Sequence, residues 1–396
     1  MITSQAASLE EALSALRARV DRHVTRDRVR TYLSALVDTP APSTAAGAMR
    51  VPVLNRLLAA DGAFDSGRLR LDPDFGGVGS PVIFTGGAGT EKPFWAFAHL
   101  DTISYLVQPE QGGRTPLVPY CVHLMHDGEC AANAYRYDFE SNRYRVLAEG
   151  KIESSGGSPF FRFMSPEIQL RPGDRIAPIS SFRDLGQGGL FTGLMDNAGG
   201  VAALAVAAPV LAEAGVEAML AFPDEEEGPV GAGNQTMCRG SARIAGLLPP
   251  PKLAIIADVQ QGGGDPDADT RGGVENSTRL GGGAVLAEFS SLARGAVTPF
   301  GLYGAARRMV DVIAGFGVRV QESNNAYSSR SDDVSVMLKT PNVLLLGYPG
   351  FNRHFDRGLP RAHLDDVTDL AKAAAYASAL GSIFEHRRAA MLRLTR

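Results

Sequence analysis

Five segments carry side chains that could act together on a substrate: His99-Leu100-Asp101, Asp196-Asn197, Asp224-Glu225-Glu226-Glu227-Gly228, Asp258, and late in the chain Asn352-Arg353-His354-Phe355-Asp356. Histidine and carboxylate without paired cysteine is a donor set suited to Zn, Mn or Co. Packed carboxylates repel one another unless a cation neutralises them, and no Lys or Arg lies within several residues of Asp196 or of Glu225-Glu226. A divalent cation is the simplest counter-charge, and two cations bridged by one carboxylate, with a spare Glu beside them, would make a hydrolytic site. Each segment also has a plainer reading. Asp196-Asn197 is an N-cap signal, the acidic run at 224–227 suits a helix first turn, Asp258 could open a turn, and a His after a strand is commonly a solvated residue.

Position favours the chemical reading. Phe94–Ala98, Ala218–Phe222, Leu253–Ala257 and Asn342–Gly347 are apolar runs of strand length. The first delivers His99, the second the acidic run and the third Asp258, while the fourth leads through Tyr348-Pro349-Gly350 towards His354. Asp196 stands just before a helix opening with Ala198-Gly199-Gly200. In an open α/β sheet the carboxyl ends of the strands form the ligand crevice, so these groups should converge.

The elements that must hold them alternate. Helices are expected over about 8–38, 47–60, 199–214, 302–316 and 366–390, with a further one between the acidic run and Leu253, interleaved with the four strands. That pattern predicts an α/β fold with a mostly parallel, helix-covered sheet. From about Thr102 to Gly189 the texture changes to short runs such as Tyr135-Arg136-Tyr137 and Phe160-Phe161-Arg162-Phe163 with frequent turn residues and no helical period, which reads as a small all-β module. The division is residues 1–102 and 190–396 for the α/β catalytic domain and 103–189 for an inserted β domain. His123 and His126, with Cys121 and Cys130 nearby, lack the paired spacing of a structural zinc site. They could line the mouth of the site instead, and the aromatic and Arg residues at 160–163 suit either a β core or an interface.

Composition excludes other classes. The chain has 396 residues, 44% hydrophobic and 21% charged, which is globular composition rather than disorder. Lys+Arg number 39 against Asp+Glu 43, leaving no basic excess for nucleic acid. No apolar stretch approaches the ~20 residues of a membrane span. The N-terminus lacks the basic and then apolar pattern of a signal peptide. With only three cysteines, Cys121, Cys130 and Cys238, a cytoplasmic location is expected.

The order His-x-Asp, Asp-Asn, Glu-Glu-x-Gly-x-x-Gly-Ala, Asp-Val and a late His resembles the co-catalytic dinuclear metallopeptidases, most of all the glutamyl and deblocking aminopeptidases that form hollow tetrahedral particles. Ala41-Pro42-Ser43 is similar to that family's early Pro-Ser turn, Arg171-Pro172-Gly173-Asp174 to its Pro-Gly-Asp, and Gly317–Gln321 and Ser331-Asp332 sit where family motifs are expected. The resemblance implies that Asp196 bridges two metals. His99 and Asp258 would complete one site, and Glu226 and a late His the other. Glu225 would be the general base and Asp101 would orient His99 through its second ring nitrogen. An alternative register makes Glu226 the base and Glu227 the ligand. His354, closer to its strand, is preferred over His363, which precedes Leu364-Asp365-Asp366 and suits a helix cap.

The expected function is therefore a metal-dependent hydrolase that cleaves a C–N bond with metal-activated water and a Glu general base, with one or two Zn, Mn or Co ions per subunit. An aminopeptidase on short peptides is the most direct reading. The alternative is a small-molecule aminohydrolase or amidohydrolase releasing ammonia from an aromatic amine, as in nitroanthranilate aminohydrolase. The altered late-His segment and Ala198-Gly199-Gly200, where the tetrahedral aminopeptidases usually have a basic residue, favour some departure from peptides. A non-enzymatic scaffold on a decayed hydrolase fold would have no use for a base beside a full ligand set. No residue is assigned to substrate binding, and a homo-oligomer formed through the inserted domain is expected, without nucleic-acid or membrane partners.

Overall fold

In the computed structural model of the chain, which describes residues 8–122, 125–141, 143–164, 168–186, 188–228, 237–265, 274–354 and 358–381, the four apolar runs lie side by side as strands. The elements in chain order begin with helices α1 (Leu9–His23), α2 (Arg26–Val37) and α3 (Ala46–Ala60), then strands β1 (Leu69–Asp72), β2 (Val82–Thr85) and β3 (Phe94–Phe97). A β segment follows: β4 (Ser104–Val107), β5 (Thr115–Tyr120), β6 (Gly128–Asp138), β7 (Arg143–Ser155), β8 (Ser158–Phe163) and β9 (Arg175–Pro178). The chain then forms β10 (Arg183–Asp184), β11 (Leu190–Thr192), α4 (Ala198–Ala214), β12 (Ala218–Ala221), α5 (Arg239–Gly246), β13 (Leu253–Gln261) and β14 (Ala284–Ala287). It ends with α6 (Phe300–Ala314), β15 (Val320–Glu322), α7 (Asp333–Val336), β16 (Val343–Phe351), β17 (Arg361–His363) and α8 (Leu364–Ala377).

Among the described residues the large sheet runs β1-β2-β12-β3-β13-β16-β17-β11-β10, with β14 and β15 joining beside β16. It is parallel where β12, β3, β13 and β16 meet and antiparallel towards both edges. Helices pack on both faces, as the near-continuous apolar central strands require. Side chains alternate between two cores at period two. Phe94, Ala96, Leu253, Ile255, Leu344 and Leu346 face the core that includes residues of α1, α2, α4, α6 and α8, whereas Trp95, Phe97, Ala254, Ile256 and Leu345 join residues of α5 and α7 on the other face. Helix α4 is buried from Ala198 to Ala212, consistent with its lack of a polar face.

Two details depart from the sequence reading. The expected helix over 8–38 is two helices, because Thr25 Oγ1 accepts the Arg28 N–H and so caps a new helix immediately after the first ends. Strands β13 and β16 run on past their apolar runs, so Asp258 lies within a strand rather than after it. No described helix is long and apolar enough to cross a membrane.

Strands β4 to β9 close into a separate small barrel in the order β4-β5-β8-β7-β6-β9, with the large sheet resuming at β10. Its core contains Tyr105, Leu117, Ala132, Ala134, Ile152, Phe161 and Ile176. Phe161 belongs to this core, and its ring fills the space that a side chain at Gly150 would need. Phe163 packs on Phe161 edge to face, while Phe160 lies under the Arg114 guanidinium. The Pro172-Gly173-Asp174 turn is anchored on β6, where Arg136 donates from Nε and Nη2 to the two Asp174 oxygens at 2.8 and 2.7 Å. The barrel leaves the large sheet just after Asp101 and rejoins it ahead of Asp196, so its two connections flank two of the candidate site segments.

Helix α4 approaches β13 without room for a side chain. A Cβ on Gly200 would meet the Asn197 side chain and sit 2.5 Å from the Ala257 carbonyl oxygen, one residue before Asp258. Gly200→Ala should therefore destabilise the protein by ~1–3 kcal/mol, the usual cost of overpacking. Urea denaturation would show it as a lower midpoint at unchanged slope, and an unchanged midpoint would mean that this contact is not tight.

Candidate functional site

Parallel register brings the site residues to one end of the sheet. Ala221 pairs with Phe97 and Phe97 with Ile256, so two residues further along each strand places His99 beside Asp258. The loop after β12 stays tied to β3, because Leu100 N–H donates to Pro223 O at 2.7 Å. Asp196 arrives from the turn before α4. Asn197, not Asp196, caps that helix: its Oδ1 accepts the Gly200 N–H at 2.9 Å and its Nδ2 donates to Ala257 O at 2.8 Å. The Asp196 carboxylate is thereby left for other partners, near the positive end of the α4 dipole.

His99 is the hub. Its Nε2 lies 3.0 Å from Asp196 Oδ1, 3.6 Å from Asp258 Oδ1 and 3.8 Å from Glu226 Oε2. On the other side of the ring, Nδ1 is 3.1 Å from the main-chain oxygen of Asp101 and 3.5 Å from its Oδ1. A carbonyl oxygen only accepts, so Nδ1 carries the hydrogen, and in the neutral ring Nε2 is the atom able to ligate. The second oxygen of Asp196, Oδ2, lies 3.4 Å from His354 Nε2. Two groups with metal-type spacing share this carboxylate: His99, Asp196 and Asp258 form one, and Asp196, Glu227 and His354 the other. A third arrangement combines His99 with Glu226 and Glu227.

The structure thus brings together His99, Asp196, Glu226, Asp258 and His354, but not Glu225. The backbone at Glu225 takes a left-handed conformation, φ +64°, and its side chain faces the rim. There its carboxylate is paired with Arg243, lies 3.6 Å from Arg239 Nη1, and accepts the Tyr120 hydroxyl at 2.7 Å. Glu227, the ligand of the alternative register, turns inward instead. This geometry places Glu226 and Glu227 where the alternative register would have them. A run of three glutamates offers no local signal for the choice, which is made by the backbone turn. His363 sits elsewhere, its Nδ1 accepting the Asp365 N–H as the cap of α8.

Asp101 organises the acidic loop more than it orients His99. Its carboxylate accepts the Glu226 N–H at 3.1 Å, the Glu227 N–H at 3.3 Å and the Ser43 hydroxyl at 2.6 Å. This gives the Ala41-Pro42-Ser43 turn a role at the site. Asp224, also buried, accepts the N–H groups of Thr44, Ala46 and Glu225. Beneath the loop, the buried Arg50 donates to Leu100 O and Thr39 O, with its pKa lowered to about 10 by burial.

The electrostatics reflect several carboxylates in one dry space. Burial, with Asp196 and Glu226 nearby, holds Glu227 well above the ordinary carboxylate range. Burial likewise raises Glu226, with His99 opposing and Asp258 adding to the shift. Asp332 is pushed up to about 7 by burial, against His99 and Ser241. Burial alone would raise Asp196, but hydrogen bonds with His354 and His99 and the charges of His99 and Arg353 outweigh it and hold it below the usual range. For His99, burial favours the neutral ring, yet Glu226, Asp258, Asp101 and Asp196 together raise its pKa well above the ordinary value. Two contacts escaped sequence reasoning altogether: the buried Cys238 thiol lies 3.5 Å from Glu226 Oε1, and Arg353 hydrogen-bonds to Ser329 Oγ. In the barrel, Cys121 is buried and His126 exposed, and neither joins a metal-type group among the described residues; His123 lies outside them.

No family model matches this sequence, and no curated protein matches it. Solved structures do match, across nearly their whole length. A TET aminopeptidase from Thaumarchaeota archaeon SCGC AB-539-E09 superposes with a TM-score of 0.66 at 16% identity, covering 88% of this chain and 95% of that one. Aminopeptidase APDkam598 from Desulfurococcus kamchatkensis gives 0.65 at 18% identity, with 88% and 94% covered. The Pyrococcus horikoshii TET1 peptidase, which can assemble into a tetrahedron or a large octahedral shell, gives 0.63 at 17% identity, with 88% and 98% covered. At these identities the likeness is one of architecture: this chain has the fold of the TET aminopeptidases, a helix-covered sheet with a small β-barrel set into it.

Proposed function

We propose that this chain is a metal-dependent hydrolase that cleaves a C–N bond, acting as an aminopeptidase on short peptides. The observation that carries the reading is Asp196, one oxygen turned to His99 and the other to His354, with Asp258 and Glu227 completing a group on each side. The aminopeptidases that share the fold support the choice of bond.

The residues fit a pair of divalent cations. Glu227 Oε1 is buried without a hydrogen-bond partner among the described residues, an expensive condition for a carboxylate unless a cation completes it. The donors are imidazole nitrogen and carboxylate oxygen, which suit Zn, Mn or Co. His99, Asp196 and Asp258 would hold one ion, and Asp196, Glu227 and His354 the other. Such ions, when bound, lower the pKa of water to ~7 and polarise the group under attack.

The chain's own groups do the rest. Glu226 is the general base: it takes a proton from the attacking water at Oε2 and returns it to the departing nitrogen. The Cys238 thiol occupies the other oxygen, which leaves Oε2 as the one facing His99. Asp101 holds the Glu226 and Glu227 backbone in place and, through its carbonyl, sets the His99 tautomer. Burial keeps bulk water from competing for these groups and raises the Glu226 pKa, the direction that favours taking up a proton.

Mass spectrometry would test the reading directly. Protein reconstituted with Zn, Mn or Co is expected to remove N-terminal residues from short unblocked peptides, and EDTA to abolish this. Conversion of carboxylated aromatic amines to phenols, with peptides untouched, would replace the aminopeptidase by the aminohydrolase reading. Glu226→Gln should lower turnover by ~10²–10⁴-fold with metal uptake retained. Glu225→Gln removes half-exposed rim pairs of little energy and should cost less than about tenfold. The opposite ranking would restore Glu225 as the base.

Removing the cations should also reverse the pH dependence of stability. Glu226, Glu227 and His99 all have raised pKa values in the folded chain. Above the ordinary carboxylate range and through neutral pH the folded state therefore binds more protons than the unfolded one, and stability falls as pH rises. Asp196 acts in the other sense, but its contribution is already complete above about pH 5. The Tm of EDTA-treated protein should drop across that interval and recover at the upper end when Zn or Mn is added. A Tm that rises with pH in EDTA would contradict the assignment of these charges.

A further inference from the structure

Most of the arginines around the site are committed to partners. Arg243 and Arg239 serve Glu225 and Tyr120 on the rim. Arg50 is spent on main-chain oxygens beneath the loop, and Arg136 on Asp174 in the barrel. Arg353 differs. It immediately precedes His354, and among the described residues its one hydrogen bond runs from Nη1 to Ser329 Oγ. That serine is held in turn by its own N–H, which donates to Gln260 Oε1 at 3.0 Å, two residues past Asp258 on β13. The guanidinium is therefore braced, through Ser329, from the strand that carries Asp258, and it stands on the segment that carries His354. It is only partly buried, and none of the described carboxylates pairs with it.

We propose that Arg353 is a specificity-determining residue that binds a carboxylate of the substrate, so that the site takes small acidic molecules whose carboxylate lies near the scissile C–N bond. One edge of the guanidinium is fixed by Ser329, and the remaining N–H groups form the planar fork that matches a carboxylate with two parallel hydrogen bonds. Burial would weaken the charge, but Asp196, Tyr327, Asp258 and Glu227 keep it fully positive without neutralising it by direct contact. A long peptide passing the site would offer no carboxylate at this point, whereas a dipeptide and a carboxylated aromatic amine both would. The inference rests on the metallohydrolase reading for the location of the scissile bond, and it narrows the substrate.

Calorimetry on full-length, Mn-loaded protein tests it with matched probes, in a Glu226→Gln background that keeps them intact. Leucyl-leucine is compared with leucyl-leucinamide, and 2-aminobenzoate with 2-aminobenzamide. In at least one pair the acid should bind ~10–100-fold more tightly than its amide, as expected for a charge-assisted pair. The pair that shows it separates a peptide carboxylate from an aryl one. Adding Arg353→Gln should erase the preference while leaving the amide's affinity unchanged, and Arg353→Lys should restore part of it. Equal binding of acid and amide in both pairs, no binding of any probe, or an equal loss for acid and amide in the Gln variant would overturn the proposal. Equilibrium dialysis of the same samples against Mn reports separately on the metallohydrolase reading, since Arg353 is not among the groups assigned to the ions.

Discussion

The constraint on which the rest depends is the burial of Asp196, Glu226, Glu227 and Asp258 around a single histidine ring. Each of these carboxylates is almost wholly removed from solvent. An ion taken out of water costs several kcal/mol unless opposite charge and hydrogen bonds replace the water. His99 can offset one of them, and the N-terminus of α4 contributes up to ~2 kcal/mol towards Asp196. Among the described side chains the further sources of positive charge are His354, 3.4 Å from Asp196, and Arg353, which pairs with none of the described carboxylates. The cluster can be held if some carboxyls are protonated or, on the proposed reading, if divalent cations supply the missing charge.

The surrounding structure can be understood as the means of holding that cluster rigid. Parallel strands place their ends at one level, so His99 after β3 and Asp258 on β13 meet without long loops. Asn197 takes the capping duty that would otherwise have claimed Asp196, and the absence of a side chain at Gly200 lets α4 come close enough to β13 for this to happen. Asp101 receives two backbone N–H groups and a hydroxyl, so the acidic loop is fixed by main-chain bonds and does not rely on the glutamate side chains. Because the chain passes into the barrel just after Asp101 and returns before Asp196, the insertion can vary without displacing the ligands.

The sheet was legible because its central strands are apolar on both faces, a pattern that needs no register to be recognised. The sites at the strand ends followed from that pattern, since a polar residue placed directly after a buried strand has few places to go. His99 was read in this way and Asp196 from its place before the helix at Ala198, and the structure brings both, with His354, into one group of side chains while His363 caps α8. The choice among Glu225, Glu226 and Glu227 was not legible. Three identical residues in succession differ only in backbone conformation, and the loop that sets it is held by Asp101, remote in sequence, through the Glu226 and Glu227 N–H groups. The break at Thr25, the antiparallel sheet edges and the contacts of Cys238 and Arg353 were missed for the same reason, each depending on partners that periodicity does not reveal.

The three glutamates also explain how an inserted barrel and a catalytic loop come to be joined. Once the turn at Glu225 sends that side chain outward, its carboxylate lies between Tyr120 at the end of β5 and Arg239 and Arg243 on α5. Tyr120 donates to Glu225 while accepting from Arg239, so barrel, loop and helix share one hydrogen-bonded chain. This pairing is half-exposed and contributes little to global stability. Its effect is local: it fixes the residue directly before the proposed base, and it ties the position of the barrel to that of Glu226.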